Sequence, residues 1–495
     1  MQFNTYQFLL VFLPSVLVGT LLLERGGGRR HALLFLTLAS LLFYWLLAGR
    51  GVFLLVASIV GNYAVARLIA GARKSGSTAG SWLLYAAIAA NLALLGYFKY
   101  SNFFLDALGA ALAVSLPHLE IALPVGISFF TFSQIAYLVD VYTGEADDYG
   151  VFDYLLFVSF FPYVTAGPIA YHREIISQFR APARESFTDR LLPGLALFAF
   201  GLFKKVVLAD GIALHADALF NGAAHGTSFS ALDAWSGAVA YTLQLYFDFS
   251  GYSDMALGIG YAFGIRLPLN FNSPYKALDI ADFWRRWHMT LTRFFTNYVY
   301  LPLAVRAGRG PAVSATQRFL RAVAGPVLVT FLLAGLWHGA GWNFVVFGLV
   351  HGIALCIFYA WRKALMPALP RPLAWAATMF VVVVGMVLFR ANDLTAAISV
   401  LGDMAGFGTA SDAAPSYAVL PWIVVLGAIV LAAPNTQEIM HRFSVSTDDA
   451  ADHVRIGRFT LEWREDTAGV VAAAMILCVA MLSITRASQF LYYQF

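Results

Sequence analysis

Residues 322–361 read AVAGPVLVTFLLAGLWHGAGWNFVVFGLVHGIALCIFYAW. Two apolar runs, 322–337 and 342–361, flank a short break made of His338, Gly339, Ala340 and Gly341. Each run is near the roughly 17–25 residues that an α-helix needs to cross a bilayer. The break therefore sets an imidazole, directly after Trp337, where hydrocarbon is expected. An ionisable side chain at that depth is costly, and it marks a functional site by default. The two glycines permit a helix break or a close backbone approach, which opens space around the ring.

The rest of the chain has the same character. Of its 495 residues, 60% are hydrophobic and 12% charged, far outside the range of soluble domains. Further runs of spanning length lie at 6–23, 32–49, 52–70, 82–98, 122–140, 191–209, 232–247, 372–389, 418–433 and 468–485. The reading is an all-α polytopic membrane protein with about eleven to fourteen membrane segments. The stretches 153–170 and 288–305 are ambiguous; Arg293 and polar side chains interrupt the second, so a partly immersed or re-entrant helix is expected at 288–305. Residues 1–23 lack a basic leading region and a small-residue cleavage site, and they read as a retained first span. A single membrane domain, 1–495, is expected.

Charge placement orients the spans. Arg25, Arg29 and Arg30 follow the first run, and Arg67, Arg73 and Lys74 close the third, so both loops are expected inside. The same rule puts 173–190 and 285–321 inside, and leaves connections near 101–120, 210–231 and 391–416 outside. The net charge of +4 carries no lysine-arginine block, which argues against nucleic acid as a partner. Two cysteines, Cys356 and Cys478, support neither a disulfide framework nor a thiolate zinc site. No metal is expected, and there is no HExxH, Walker A or GxSxG motif.

Polar chemistry concentrates in 246–302. Tyr246, Asp248, Ser250, Tyr252, Ser253 and Asp254 crowd an otherwise apolar stretch, and buried carboxylates there must be paired or neutralised. Arg285, Arg286 and Arg293 are candidate counterions. The plain alternative for Asp248, Ser253 and Asp254 is that they tie helices together by hydrogen bonds. Asn270, Asn272 and Pro274 bring turn chemistry that interrupts a helix, and such a segment lines a cavity or is buried in protein. Then Phe283, Trp284, Arg285, Arg286 and Trp287 lead into a second histidine, His288. Its tryptophans read as interface anchors or a substrate wall, and its arginines as anchors or binders of a phosphorylated donor. Gln134 belongs to a polar stripe with Ser128, Thr131 and Ser133. His351 reads as a structural or supporting histidine. His118, His172, His215, His225, His441 and His453 read as solvated loop residues. A histidine can take a proton from an alcohol or thiol near neutral pH, and His338 and His288 are the candidates for that work. A hydrogen-bonded structural role is the plain alternative for each.

At these residues the chain resembles the membrane-bound O-acyltransferase family, in its bacterial branch for alginate and polysaccharide O-acetylation. The resemblance runs through LPVGISFFTF at 123–132, Phe161 and Pro162 with AGPI at 166–169, the 246–255 block, 270–275, 283–288, 298–302, GLWHG at 335–339, and His351 with Gly352. These blocks cover 123–352. The resemblance implies helices around a channel, a cytoplasmic donor such as acetyl-CoA or another acetyl thioester, and no bound cofactor. It implies that His338 acts as general base, or as a transient acyl carrier, and that His288 positions donor or acceptor. Trp284, Arg285, Arg286, Trp287, Trp337, Asp248, Ser253, Asp254, Asn272, Gln134 and His351 would line the channel or bind substrate. It also implies a bacterial inner-membrane location among membrane lipids. The acceptor would be an alginate-like or cellulose-like polysaccharide, reached through an extracytoplasmic SGNH-type acetyltransferase partner. Two departures stand out: 305–309 lacks the glycine-rich continuation, and Tyr163 replaces a common glutamine. The competing readings are D-alanyl transfer to teichoic acid, and a transporter or flippase without acyl chemistry.

Overall fold

The computed structural model describes residues 1–146, 148–181, 185–310, 314–408, 417–448, 461–484 and 488–491. Seventeen helices organise the argument. They are α1 (Phe8–Gly26), α2 (Arg29–Ala48), α3 (Gly51–Lys74), α4 (Ala79–Leu112), α5 (Ile127–Thr143), α6 (Val151–Ser159), α7 (His172–Arg180), α8 (Phe187–Ala224) and α9 (Ala231–Ala262). They continue as α10 (Ile280–Arg286), α11 (Met289–Phe295), α12 (Ala315–His338), α13 (Trp342–Lys363), α14 (Arg371–Arg390), α15 (Leu394–Met404), α16 (Leu420–Ala432) and α17 (Thr467–Leu482). Among the described residues, eight helices are long and apolar enough to cross a membrane: α1–α4, α8 and α12–α14. The chain is an all-α, multi-pass membrane protein, as its composition predicts.

Three connections differ from expectation because their residues are better helix formers than loop formers. The 101–120 stretch begins with the helical Ser101–Leu112, which continues α4. The 210–231 stretch is mostly the end of α8, through Ala224. The 391–416 stretch contains α15, whose N-cap Asp393 accepts from the Ala396 amide at 2.8 Å; its residues 409–416 lie outside the described ones. The 153–170 stretch divides. α6 ends at Ser159, and 160–171 run without helix yet wholly buried, which hydrocarbon permits only where protein covers the backbone.

Small residues set the two tightest helix contacts. A β-carbon on Gly194 would sit 2.7 Å from the Gly258 carbonyl, and one on Gly201 2.6 Å from the Gly251 carbonyl, so α8 and α9 touch backbone to backbone seven residues apart. The α12–α13 hairpin uses the same device: a β-carbon on Gly335 would overlap the Phe344 carbonyl, and one on Gly348 the Phe331 carbonyl. That hairpin turns at Gly339–Gly341 and holds His338 at the end of α12.

The charged helix ends on one face are tied together. Arg190 donates to Glu24 at 2.6 Å, Arg29 to the Gln178 carbonyl at 2.9 Å, and Arg266 to Glu185 at 2.7 Å. Arg293 makes a two-pronged bond to Glu174 at 2.6 and 2.9 Å. Arg29, Arg190 and Arg293 are residues that the positive-inside rule assigns to one side, and Arg266 joins them there. At the far ends of α8 and α14, Arg390 reaches Asp217 at 2.9 Å.

Candidate functional site

His338 ends α12, and three carbonyls there need partners once the helix stops. They find them on α4: Lys99 Nζ donates to the Trp337 carbonyl at 2.6 Å and the His338 carbonyl at 3.0 Å, and Tyr100 donates to the Leu336 carbonyl at 2.5 Å. A cation at a helix C-terminus is also favoured by the helix dipole. The backbone below the imidazole is thereby fixed while the ring projects among aromatic faces. Its centroid lies 5.0 Å from Phe389, 5.0 Å from Trp337 and 5.9 Å from Phe347.

His288 is held by the opposite means. It caps α11 with φ 45° and ψ 50°, a left-handed conformation that a non-glycine residue keeps only where its surroundings enforce it. The enforcement comes from the turn at 270–272. The Met289 amide donates to the Asn270 carbonyl at 2.9 Å, and the Asn272 amide to the Arg286 carbonyl at 2.9 Å. The Asn270 Oδ1 accepts from Thr290 Oγ1 at 2.9 Å and from the Thr290 amide at 3.4 Å, which fixes the orientation of the side-chain amide. His288 Nδ1 lies 3.0 Å from that same oxygen, so Nδ1 carries the proton and the basic lone pair falls on Nε2. Asn270 Nδ2 turns the other way, to Ser253 Oγ at 3.4 Å. Thr290 Oγ1 also accepts from the Ile169 amide at 3.0 Å, tying the buried 160–171 stretch to the same point.

The two histidines, fifty positions apart in sequence, meet. Their ring centroids are 6.4 Å apart with an interplanar angle of 54°, and Trp337 adjoins both. Both side chains are buried, at 0% and 5% exposure. A cavity of about 260 Å³ is lined by Trp284, Arg285, Met289, Thr290 and Arg293 among others, and neither histidine is part of its lining. Met289 and Thr290 directly follow His288, and Arg293 belongs to the charged face. The arrangement is a buried pair of imidazoles, with His288 adjoining in sequence a cavity that Arg285 and Arg293 help to line. Such a pair can accept and return a proton at an atom brought between them.

Other candidates fall into distinct places. Trp284 packs edge-on at 5.0 Å from His351, which Phe347 also flanks at 4.8 Å. Trp287 packs with Phe271, Tyr275 and Phe283 in the wall behind His288. Arg285 and Arg286 pair with Asp282 at 3.3 and 2.9 Å. Asn272 accepts from Asn435 at 3.1 Å. Gln134 donates to Ser58 at 2.9 Å and accepts from Tyr154 at 3.3 Å, tying helices together away from the histidines.

The expected counterions are corrected. Asp248 pairs with Lys205 at 2.6 Å and Asp254 with Lys204 at 2.6 Å, whereas Arg285 and Arg286 serve Asp282 and Arg293 serves Glu174. The lysines lie in the apolar α8, whose close approach to α9 brings them opposite the aspartates. Two lysines inside the 191–209 run were the available signal. The 488–491 segment closes this cluster: the Leu491 amide donates to Asp248 at 3.1 Å, and Ser488 to Asp210 at 2.6 Å. His172 is also corrected. It is buried, with Nε2 2.9 Å from Asp140 and Nδ1 3.1 Å from the Tyr149 hydroxyl, because α7 packs inward against α5. His453 lies outside the described residues.

A bundle of apolar helices with two adjacent imidazoles buried inside it defines a multi-pass membrane protein with ionisable side chains in its interior. The chain belongs to the membrane-bound O-acyltransferase family, whose model matches residues 81–400. It is 37% identical to a peptidoglycan O-acetyltransferase of Helicobacter pylori, over 100% of this chain and 97% of that one. It is 36% identical to a probable alginate O-acetylase, AlgI, of Azotobacter vinelandii, over the full length of both. A teichoic acid D-alanyltransferase of Streptococcus thermophilus is 30% identical over 48% of this chain and 57% of its own. The protein is therefore a multi-pass membrane acyltransferase, and the reading as a transporter without acyl chemistry is set aside.

Proposed function

We propose that this enzyme passes an acetyl group from a cytoplasmic thioester, such as acetyl-CoA, across the inner membrane for O-acetylation of an exported polysaccharide. The observation that carries the reading is the buried His288–His338 pair at 6.4 Å; Met289 and Thr290, next to His288 in sequence, line a cavity together with Arg285 and Arg293. The arginines suit a phosphorylated donor. In the reaction, His338 removes the proton from an acceptor hydroxyl as its oxygen attacks the thioester carbonyl. The carbon–oxygen bond forms, the carbon–sulfur bond breaks, and the thiolate takes up the proton. His288, with its lone pair on Nε2, orients the reacting groups and shares the proton. The acceptor hydroxyl belongs to an extracytoplasmic SGNH-type partner or to the sugar itself. The full-length likeness to O-acetyltransferases supports acetyl over D-alanyl transfer.

The test supplies membranes with labelled acetyl-CoA and with alginate, cellulose or peptidoglycan. Label is expected on a polymer or a partner protein. It is expected to vanish in His338→Ala at equal protein abundance. Undiminished transfer in that variant overturns the assignment of His338. Transfer of D-alanine from a charged carrier protein, without acetyl transfer, overturns the donor.

A further inference from the structure

A second and larger cavity, about 710 Å³, lies away from the histidines, where the first turn of α2 meets the start of α6 and the end of α7. Its polar rim carries Arg29, Arg30 and Arg180, facing one carboxylate, Asp153. Arg180 donates to Asp153 at 3.1 Å, and Arg29 lies 3.9 Å from Glu24, but Arg30 is exposed and no acidic group among the described residues is paired with it. Two helices also begin at this rim. α2 starts after Gly28 and α6 after Gly150, neither with a side-chain cap, so both bring the positive ends of their dipoles to it. The floor differs in kind: Leu33 and Leu34, one turn into α2, together with Leu156 and the largely exposed Phe152. α2 is a membrane-spanning helix of 20 residues, so its first turn lies at headgroup depth and its second where acyl chains begin.

We propose that this cavity is a binding site for an anionic phospholipid of the cytoplasmic leaflet, with the phosphate on the arginine rim and the chains along Leu33, Leu34 and Phe152. A basic pocket among helix ends on the positively charged side matches the chemistry of such a headgroup. The apolar floor, continuous with the membrane-facing side of α2, selects a lipid over a free anion. The site stands apart from the cavity at Trp284 and Arg285 and holds no histidine, so it does not depend on the acyl-transfer reading.

The test is native mass spectrometry of the purified full chain, equilibrated with an equimolar mixture of phosphatidylglycerol and phosphatidylcholine. Preferential retention of phosphatidylglycerol is expected. Arg30→Gln should reduce it about fivefold, the scale of one arginine at an anionic surface. Arg371→Gln, at an exposed arginine that starts α14, should leave it unchanged. Leu34→Gln should also loosen the lipid, while size-exclusion profiles stay unaltered. Equal retention of the two lipids, or an Arg371→Gln effect as large as that of Arg30→Gln, overturns the site. Displacement by inorganic phosphate beyond that caused by sodium chloride at matched ionic strength makes it a free-anion site and overturns the lipid.

Discussion

The two segments that deliver the histidines are built on opposite principles. His338 arrives at the end of a continuous apolar helix, whose partner α13 is clamped to it through Gly335 and Gly348. Its position follows from packing and from the bonds of Lys99 and Tyr100 to the carbonyls that end the helix. His288 arrives on a broken stretch, in a left-handed conformation, fixed by Asn270 and Thr290. A ring set by a hydrogen bond has its tautomer chosen for it. The contrast separates a ring placed by helix packing from one whose orientation is set by Asn270, and the proposed roles of His338 as base and His288 as its support follow that separation.

The largest way to break this contrast is to exchange the consequences of losing each ring. His338→Ala should lower the rate of acetyl transfer by about 10²–10⁴-fold, the range for a general base, with normal abundance and thermal stability. His288→Ala should lose less in rate and more in stability, because it also removes a partner of Asn270. Labelled-acetyl transfer and melting of the purified variants decide it, and equal losses on both scales would dissolve the distinction.

The next effect concerns polar groups that hold the frame instead of reacting. Lys205 and Asp248 are each 2% exposed in their side chains. Lys205→Met leaves a buried carboxylate without its ion pair and should destabilise by about 3–5 kcal/mol, read as lost abundance or a lower melting temperature in detergent. Lys205→Met with Asp248→Leu should recover most of that loss and most of the transfer activity. Recovery of stability without activity would move Asp248 from the frame into the reaction.

Much of this was legible in the sequence, and the failures share a cause. The hairpin around His338 could be read because hydropathy and its interruption are local properties. The partners of Asp248 and Asp254 could not, because the choice between Lys204, Lys205 and the arginines depends on glycine contacts between α8 and α9 that bring distant positions together. His172 was misread for the same reason: a short helix full of polar residues looks like a loop until Asp140 and Tyr149 enclose it. The 160–171 stretch shows the converse. The apolar stretch 153–170 reads as ambiguous, and its second half is irregular because surrounding residues such as Ser40 and Thr290 take up its amides. The meeting of His288 with His338 is likewise a product of the turn at 270–272.

A smaller effect tests that turn. Asn270→Ala removes the oxygen that fixes His288 and should lower kcat about 10- to 100-fold, the scale for losing a group that orients a catalytic side chain, with little change in donor KM. Asn270→Asp keeps an acceptor for Thr290 and for His288 Nδ1, and should restore part of the rate. A purely structural role for Asn270 would instead lower abundance in both variants alike.

The smallest effect lies at the cavity rim and sharpens the comparison from outside. Arg285 has a side chain 68% exposed and a contact to Asp282 at 3.3 Å, so it contributes little to the fold. Arg285→Ala should change stability by less than about 0.5 kcal/mol, as surface substitutions do. If the rim receives a phosphorylated donor, the same change should raise donor KM by no more than about fivefold, the scale of an exposed charge contact, with kcat intact. The increase should shrink as salt is added, because screening weakens an exposed pair. A change in kcat instead of KM would place Arg285 with the histidines, and an unchanged KM at low salt would remove it from the donor's path and leave it as an anchor at the membrane interface.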